Sequence, residues 1–130
     1  MTTSAIPWTH IKAMSFDIFG TLVDWEGGMW AGVKASAIGP YVHDRQQVMA
    51  MLSKHDNAIQ VESPTMLQRD VIAEGLKRTA IELKLVGAGK LTEVDLDATA
   101  KEYGNTIGSY EAFPDTVDAI RRLVALSNMP

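Results

Sequence analysis

The chain has 130 residues, 46% hydrophobic and 22% charged, the balance of one globular domain or of one piece of a larger one, which excludes a disordered tail, a collagen and a mucin. Lys and Arg number 12 against 16 Asp and Glu, for a net charge of −4, and the densest basic spots are the pairs Lys77-Arg78 and Arg121-Arg122, so no basic stripe marks a nucleic-acid face. With no cysteine there is no disulfide, thiolate metal site or Cys nucleophile, and no apolar run approaches the ~18 residues of a membrane span, so the expectation is a soluble, cytoplasmic protein with no nucleic-acid or membrane partner.

Residues 1 to 9 read as a loose arm. Ile11 to Ile18 is a short apolar run that stops at Gly20-Thr21, the pattern of a buried strand. A helical pattern runs from Trp25 to Ile38 and ends at Gly39-Pro40. Asp44, followed three residues later by Gln47, forms a capping box. It opens a helix to about Val61 with Val48, Met51, Leu52, His55 and Ile59 on one side. Ser63-Pro64 restarts the chain as N-cap and first helical position. The helix that follows places Met66, Leu67, Val71, Ile72, Leu76, Ala80 and Leu83 on one face and ends near Val86, before Gly87-Ala88-Gly89. Thr92 caps the next helix, which runs to about Tyr110 although Gly104 and Gly108 each cost ~1 kcal/mol relative to Ala. Phe113-Pro114 is a break, and Asp115 caps a last short helix before the chain ends V-A-L-S-N-M-P. This order predicts an α/β core interrupted by a helical insertion over residues 25 to 110.

Several motifs fail. Gly87-Ala88-Gly89-Lys90 is not a phosphate loop, because Lys84 occupies the first Gly position and Leu91 follows the Lys. It reads as a helix C-cap and turn. His10, His43 and His55 never fall at zinc-protease spacing, and no G-x-S-x-G elbow exists. His43 reads as an exposed loop residue and His55 as a helix residue at the edge of the core. No metal ligand set and no cofactor site emerges.

The informative segment is Phe16-Asp17-Ile18-Phe19-Gly20-Thr21-Leu22-Val23-Asp24. An apolar strand that ends in a carboxylate displays that carboxylate to a ligand at the carboxyl edge of an open α/β sheet. Backbone N–H groups of the following turn can face an anion beside it. Asp17 also fits an ordinary turn residue, and Asp24 fits a helix N-cap better than a catalytic group.

This string resembles the first motif of the haloacid dehalogenase superfamily and is most similar to its type II 2-haloacid dehalogenase branch. The helical insertion is similar to that family's cap. Tyr110 to Val117 resembles the segment that returns to the core, and Val124-Ala125-Leu126-Ser127-Asn128 resembles the second motif. The resemblance implies an incomplete Rossmann-type core begun by residues 1–24, a cap over 25–110, and a truncated return over 111–130. It implies Asp17 as a nucleophile that forms an aspertyl ester later opened by water. Phosphatases of the superfamily carry a second Asp where this chain has Phe19. A halide leaves without a proton, so an aromatic there suits dehalogenation and argues against phosphate esters and their magnesium. Thr21 would support the loop, and Ser127 and Asn128 would hydrogen-bond the nucleophile or the carboxylate of a small 2-haloacid.

The sequence departs from the family in three ways. The Lys of the third motif and the acidic residues of the fourth have no counterpart in it. No halide-binding Arg aligns: Arg45 stands at the start of its helix and the interior has none. The helix from Asp115 runs into Leu123 to Leu126 without the ~2–6 residue turn that a following strand needs. Either residues 115 to 127 are one continuous helix, or the connection is shortened. A lone strand at residues 11 to 18 would have little to pair with, and apolar surface left open would drive self-association. Beside the dehalogenase reading stand two others: a non-catalytic relative acting through protein association, and a phosphate-ester hydrolase.

Overall fold

A computed structural model describes residues 8–127. Five helices follow in order: α1 (Trp25–Ala35), α2 (Arg45–Glu62), α3 (Gln68–Glu82), α4 (Glu93–Asn105) and α5 (Thr116–Ser127). Short 3-10 turns lie at Trp8–His10, Gly39–Tyr41 and Thr106–Ser109.

The expected α/β core is not present among the described residues, which are helical with no strand and no sheet. Backbone pairing between extended segments reduces to two isolated bridges, Phe19 with Val23 and Val23 with Ala112. The physical reason is the absence of a neighbour. An extended segment becomes a strand only when a second one satisfies its N–H and C=O groups, and residues 11–18 have none. Their apolar side chains stand open instead, with Phe16 45% and Ile18 56% exposed. The second expected strand, Leu123 to Leu126, belongs to α5, so residues 116–127 form one continuous helix.

Helix starts follow the capping chemistry read from the sequence. Asp24 Oδ1 accepts from Gly27 N at 2.9 Å and Asp44 Oδ1 from Gln47 N at 3.0 Å, each satisfying one N–H left free at a helix start. Thr92 Oγ1 accepts from Asp95 N at 3.1 Å and donates to Asp95 Oδ2 at 2.7 Å. One start differs. Ser63-Pro64 begins a turn, and α3 opens four residues later with Leu67 as an N-cap that makes no side-chain bond. Met66 and Leu67 therefore lie outside the helix and exposed, not on its buried face. Helix ends are also earlier than the pattern predicts. Lys84 takes a left-handed backbone (φ 58°) after α3, and a 3-10 turn replaces the last turns expected of α4.

The core lies where α2, α3 and α4 meet, with α1 packed across them. Leu52, Leu76, Ala80, Leu96 and Tyr103 join Met29 and Val33 of α1 in one buried cluster. Each fully buried large apolar side chain contributes about 1.5–3 kcal/mol, and this cluster holds the helices together. Two close approaches tighten it. A methyl on Gly32 would sit 2.9 Å from the Tyr103 ring, so glycine lets that ring lie on α1. A methyl on Gly104 would overlap the Arg69 carbonyl oxygen, so glycine brings α4 onto the backbone of α3.

Charged pairs fix the register on the surface. Arg78 holds Glu62 through two contacts, 3.1 and 2.8 Å, and Glu74 at 3.0 Å. Glu82 accepts from Lys54 at 3.1 Å and meets His55 Nε2 at 2.7 Å. Lys77 meets Asp97 at 2.6 Å across α3 and α4. Exposed pairs of this kind are each worth at most ~1 kcal/mol, so they select the antiparallel pairing and leave most of the stability to the core.

α5 stands apart. It buries no residue, and Val117, Val124 and Leu126 are each about half exposed. Its apolar face and the extended residues 11–16 border one shallow groove of about 260 Å³, lined by Ile11, Met14, Phe16, Ile120, Leu123 and Val124. Among the described residues no helix is long and apolar enough to cross a membrane.

Candidate functional site

The loop carrying Asp17 is a compact knot. The Ile18 carbonyl accepts from Thr21 N, Leu22 N and Val23 N at 3.3, 2.9 and 3.0 Å, and Gly20 N donates to the Val23 carbonyl at 2.9 Å. Gly20 has φ +82°, a left-handed conformation that a residue with a Cβ adopts only with strain. That is why the turn after Phe19 needs glycine. The knot is stitched to the segment before α5. Asp24 N donates to the Glu111 carbonyl (2.9 Å), Phe113 N to the Leu22 carbonyl (3.1 Å), and Thr116 Oγ1 to the same carbonyl (2.8 Å).

Within this knot the structure brings together three of the residues singled out in the sequence. Asp17 is exposed, and its Oδ2 accepts from Thr21 Oγ1 at 3.3 Å. Phe19 turns toward Tyr110, with ring centroids 6.2 Å apart and planes tilted by 59°. Ser127 forms no hydrogen bond with them. It is the last residue of α5, and its hydroxyl donates to the Val124 carbonyl of its own helix at 2.7 Å. It borders the apolar groove with Ile11, Met14 and Phe16, the residue before Asp17, and its hydroxyl is engaged by its own helix. Asn128 lies outside the described residues. Among the described residues no Lys or Arg pairs with Asp17, so charge developing on a leaving group there would meet no fixed cation.

Phe19 also lines a cleft of about 380 Å³ between the Asp17 knot and helices α1 to α3. Trp25, Met29, Asp56, Gln60, Gln68 and Tyr110 share its lining. Asp56 is the residue that sequence reasoning missed. It sits on α2 four residues after Leu52 and three before Ile59, both fully buried, so a carboxyl group occupies the apolar stripe of its helix. A charged residue at such a position was the available signal. Its neighbour His55, read from the sequence as a helix residue at the edge of the core, lies in α2 and reaches Glu82 at 2.7 Å.

The surroundings of Asp56 are unusual. A methyl on Gly75 of α3 would overlap Asp56 Oδ1, so glycine admits the carboxyl group against that helix. Oδ1 is buried without a hydrogen-bond partner, as are the hydroxyls of Tyr103 and Tyr110. Burial pushes the Asp56 carboxyl up to about 6, because the charged form loses its water. Burial also pushes both tyrosine hydroxyls up, and the negative charge of Asp56 adds to the effect on each. Among the described residues no three His, Asp or Glu side chains converge as a metal-ligand set.

No family model matches the chain, and no curated protein matches it.

Proposed function

We propose that the chain is a hydrolase of the haloacid dehalogenase kind, with Asp17 as the nucleophile that opens the carbon–halogen bond of a small 2-haloacid. The reading rests on the residues of the Asp17 knot alone, since no sheet edge surrounds it among the described residues. The observation that carries it is the exposed Asp17 carboxylate, steadied by the Thr21 hydroxyl at 3.3 Å, in a turn where an aromatic Phe19 stands two residues on. In the first step an Asp17 oxygen forms a bond to the carbon bearing the halogen. The C–X electron pair leaves with the halide, and an aspartyl ester remains. In the second step water adds to the ester carbonyl. The oxygen of that water stays in the regenerated Asp17 carboxylate, the Asp17 oxygen already bonded to the substrate carbon leaves with it as the hydroxyl of a 2-hydroxyacid, and a proton is released.

Phe19 supports this chemistry over phosphate-ester hydrolysis, because it cannot protonate an alkoxide leaving group and a halide requires no proton. Thr21 is a positioning residue. With no Lys or Arg paired to Asp17 among the described residues, turnover is expected to be slow. The test is halide release from 2-chloropropionate by the native chain and by Asp17→Asn. Release by the native chain and none by the variant supports the reading, and equal release by both would end it.

A second reading is a non-catalytic relative that acts through protein association. The open apolar strip of Ile11, Met14, Phe16 and Ile18 beside the exposed face of α5 favours it. A chain that releases no halide with any small haloacid yet self-associates through this strip would support that reading.

A further inference from the structure

The cleft beside Phe19 has a chemical character that the proposed reaction does not use. Its lining holds one charged side chain, Asp56, and three aromatic ones, Phe19, Trp25 and Tyr110. The rest of the lining is neutral, with the amides of Asn57, Gln60 and Gln68 at its edge. Two of the aromatic walls, Phe19 and Tyr110, lie close enough to act together, at 6.2 Å between centroids. The third, Trp25, is anchored where its Nε1 approaches Gly20 of the Asp17 knot: a methyl on Gly20 would sit 3.2 Å from it.

Aromatic faces carry partial negative charge and attract cations, tryptophan most strongly. A carboxylate beside them adds a full negative charge. Asp56 has no cationic partner among the described ion pairs, and its Oδ1 accepts no hydrogen bond. An anion entering the cleft would meet this carboxylate with no Lys or Arg in the lining to offset it. A neutral ligand would gain only apolar contact. A weakly hydrated cation gains from both features and loses little water on entry.

We propose that this cleft binds a small organic cation, an alkylammonium or quaternary ammonium group, held by the Asp56 carboxylate among the rings of Trp25, Phe19 and Tyr110. The site stands independently of Asp17 chemistry.

The test uses the native chain, choline as probe, and the uncharged isostere of choline in which carbon replaces the quaternary nitrogen. The readout is the Trp25 indole N–H resonance, assigned with Trp25→Phe, at about pH 8, where Asp56 is ionised. Choline should shift the resonance saturably, with a Kd on the order of 1–10 mM, and the isostere should bind at least about tenfold more weakly. Asp56→Asn should weaken choline about tenfold and leave the isostere unchanged. A thermal melt of the variant establishes that it is folded, and the choline–isostere comparison needs no variant. Equal binding of choline and isostere, a choline affinity indifferent to Asp56→Asn, or no saturable shift with choline would each overturn the proposal. So would a saturable shift by 2-chloropropionate with choline silent, which would make this an anion site. Halide release is not part of the readout, so failure here leaves the Asp17 reading standing, and the reverse.

Discussion

Replacing Asp56 by Asn tests the burial of this carboxyl group through the pH dependence of stability. The ordinary value of the group is 3.8, and burial lifts it to about 6. Fully converted, that gap would weigh ~3 kcal/mol against the ionised form. The side chain is only partly buried, so solvent screening reduces the figure to ~1–2 kcal/mol. The sign follows from proton binding. The folded chain holds this proton more tightly than the unfolded chain does. The resulting stabilisation is complete below about pH 4 and is lost as pH rises through about 6. Asn has the same shape and does not ionise. Asp56→Asn should therefore be more stable than the parent by ~1–2 kcal/mol at about pH 8, and within ~0.5 kcal/mol of it at about pH 4. The Tyr103 and Tyr110 hydroxyls, raised by burial, stay protonated over this range. Urea unfolding followed by Trp fluorescence measures the difference, with an unchanged m value required for the comparison. A difference that is the same at both pH values, or a variant less stable at the higher pH, would refute this account of the carboxyl group.

Other outcomes follow from the packing. Gly104→Ala should destabilise by ~1–3 kcal/mol despite the ~1 kcal/mol gain in helix propensity, because the added methyl meets the Arg69 carbonyl and backbone cannot swing aside; chemical denaturation reads it. Thr92→Ala should cost ~1 kcal/mol by removing the N-cap of α4, seen as a lower urea midpoint. Phe16→Ser with Leu126→Ser should lower any self-association measured by sedimentation and should reduce binding of an apolar dye, since both side chains are exposed and contribute little to the core.

The helical part of the molecule was largely legible in the sequence because its signals are local. Asp24, Asp44 and Thr92 cap the helices that their spacing marked, and Leu52, Ile72 and Leu76 fill the core that the helical period assigned to them. The α/β expectation failed because a strand is not a local object. Residues 11–18 have the composition of a strand and lack the neighbour that would make them one. Leu123 to Leu126 likewise continue a helix, so Ser127 ends a helix and not a strand. The site divided along the same line. Asp17, Phe19 and Thr21 lie within five residues of one another, so one turn gathers them. Asp56, Trp25 and Tyr110 come together only through packing of distant segments. Of these, Asp56 alone left a trace in the sequence, as an acid in an apolar stripe.

The claim that Asp17 is the nucleophile is tested most directly by following isotope from solvent. The native chain, in excess over 2-chloropropionate, is incubated in heavy-oxygen water, and the peptide carrying Asp17 is then weighed by mass spectrometry. The aspartyl-ester route predicts heavy oxygen in the Asp17 carboxyl group after a single turnover, because water adds to the ester carbonyl. Halide release with heavy oxygen in the hydroxyacid product and none in the peptide would contradict it, and so would an absence of halide release altogether.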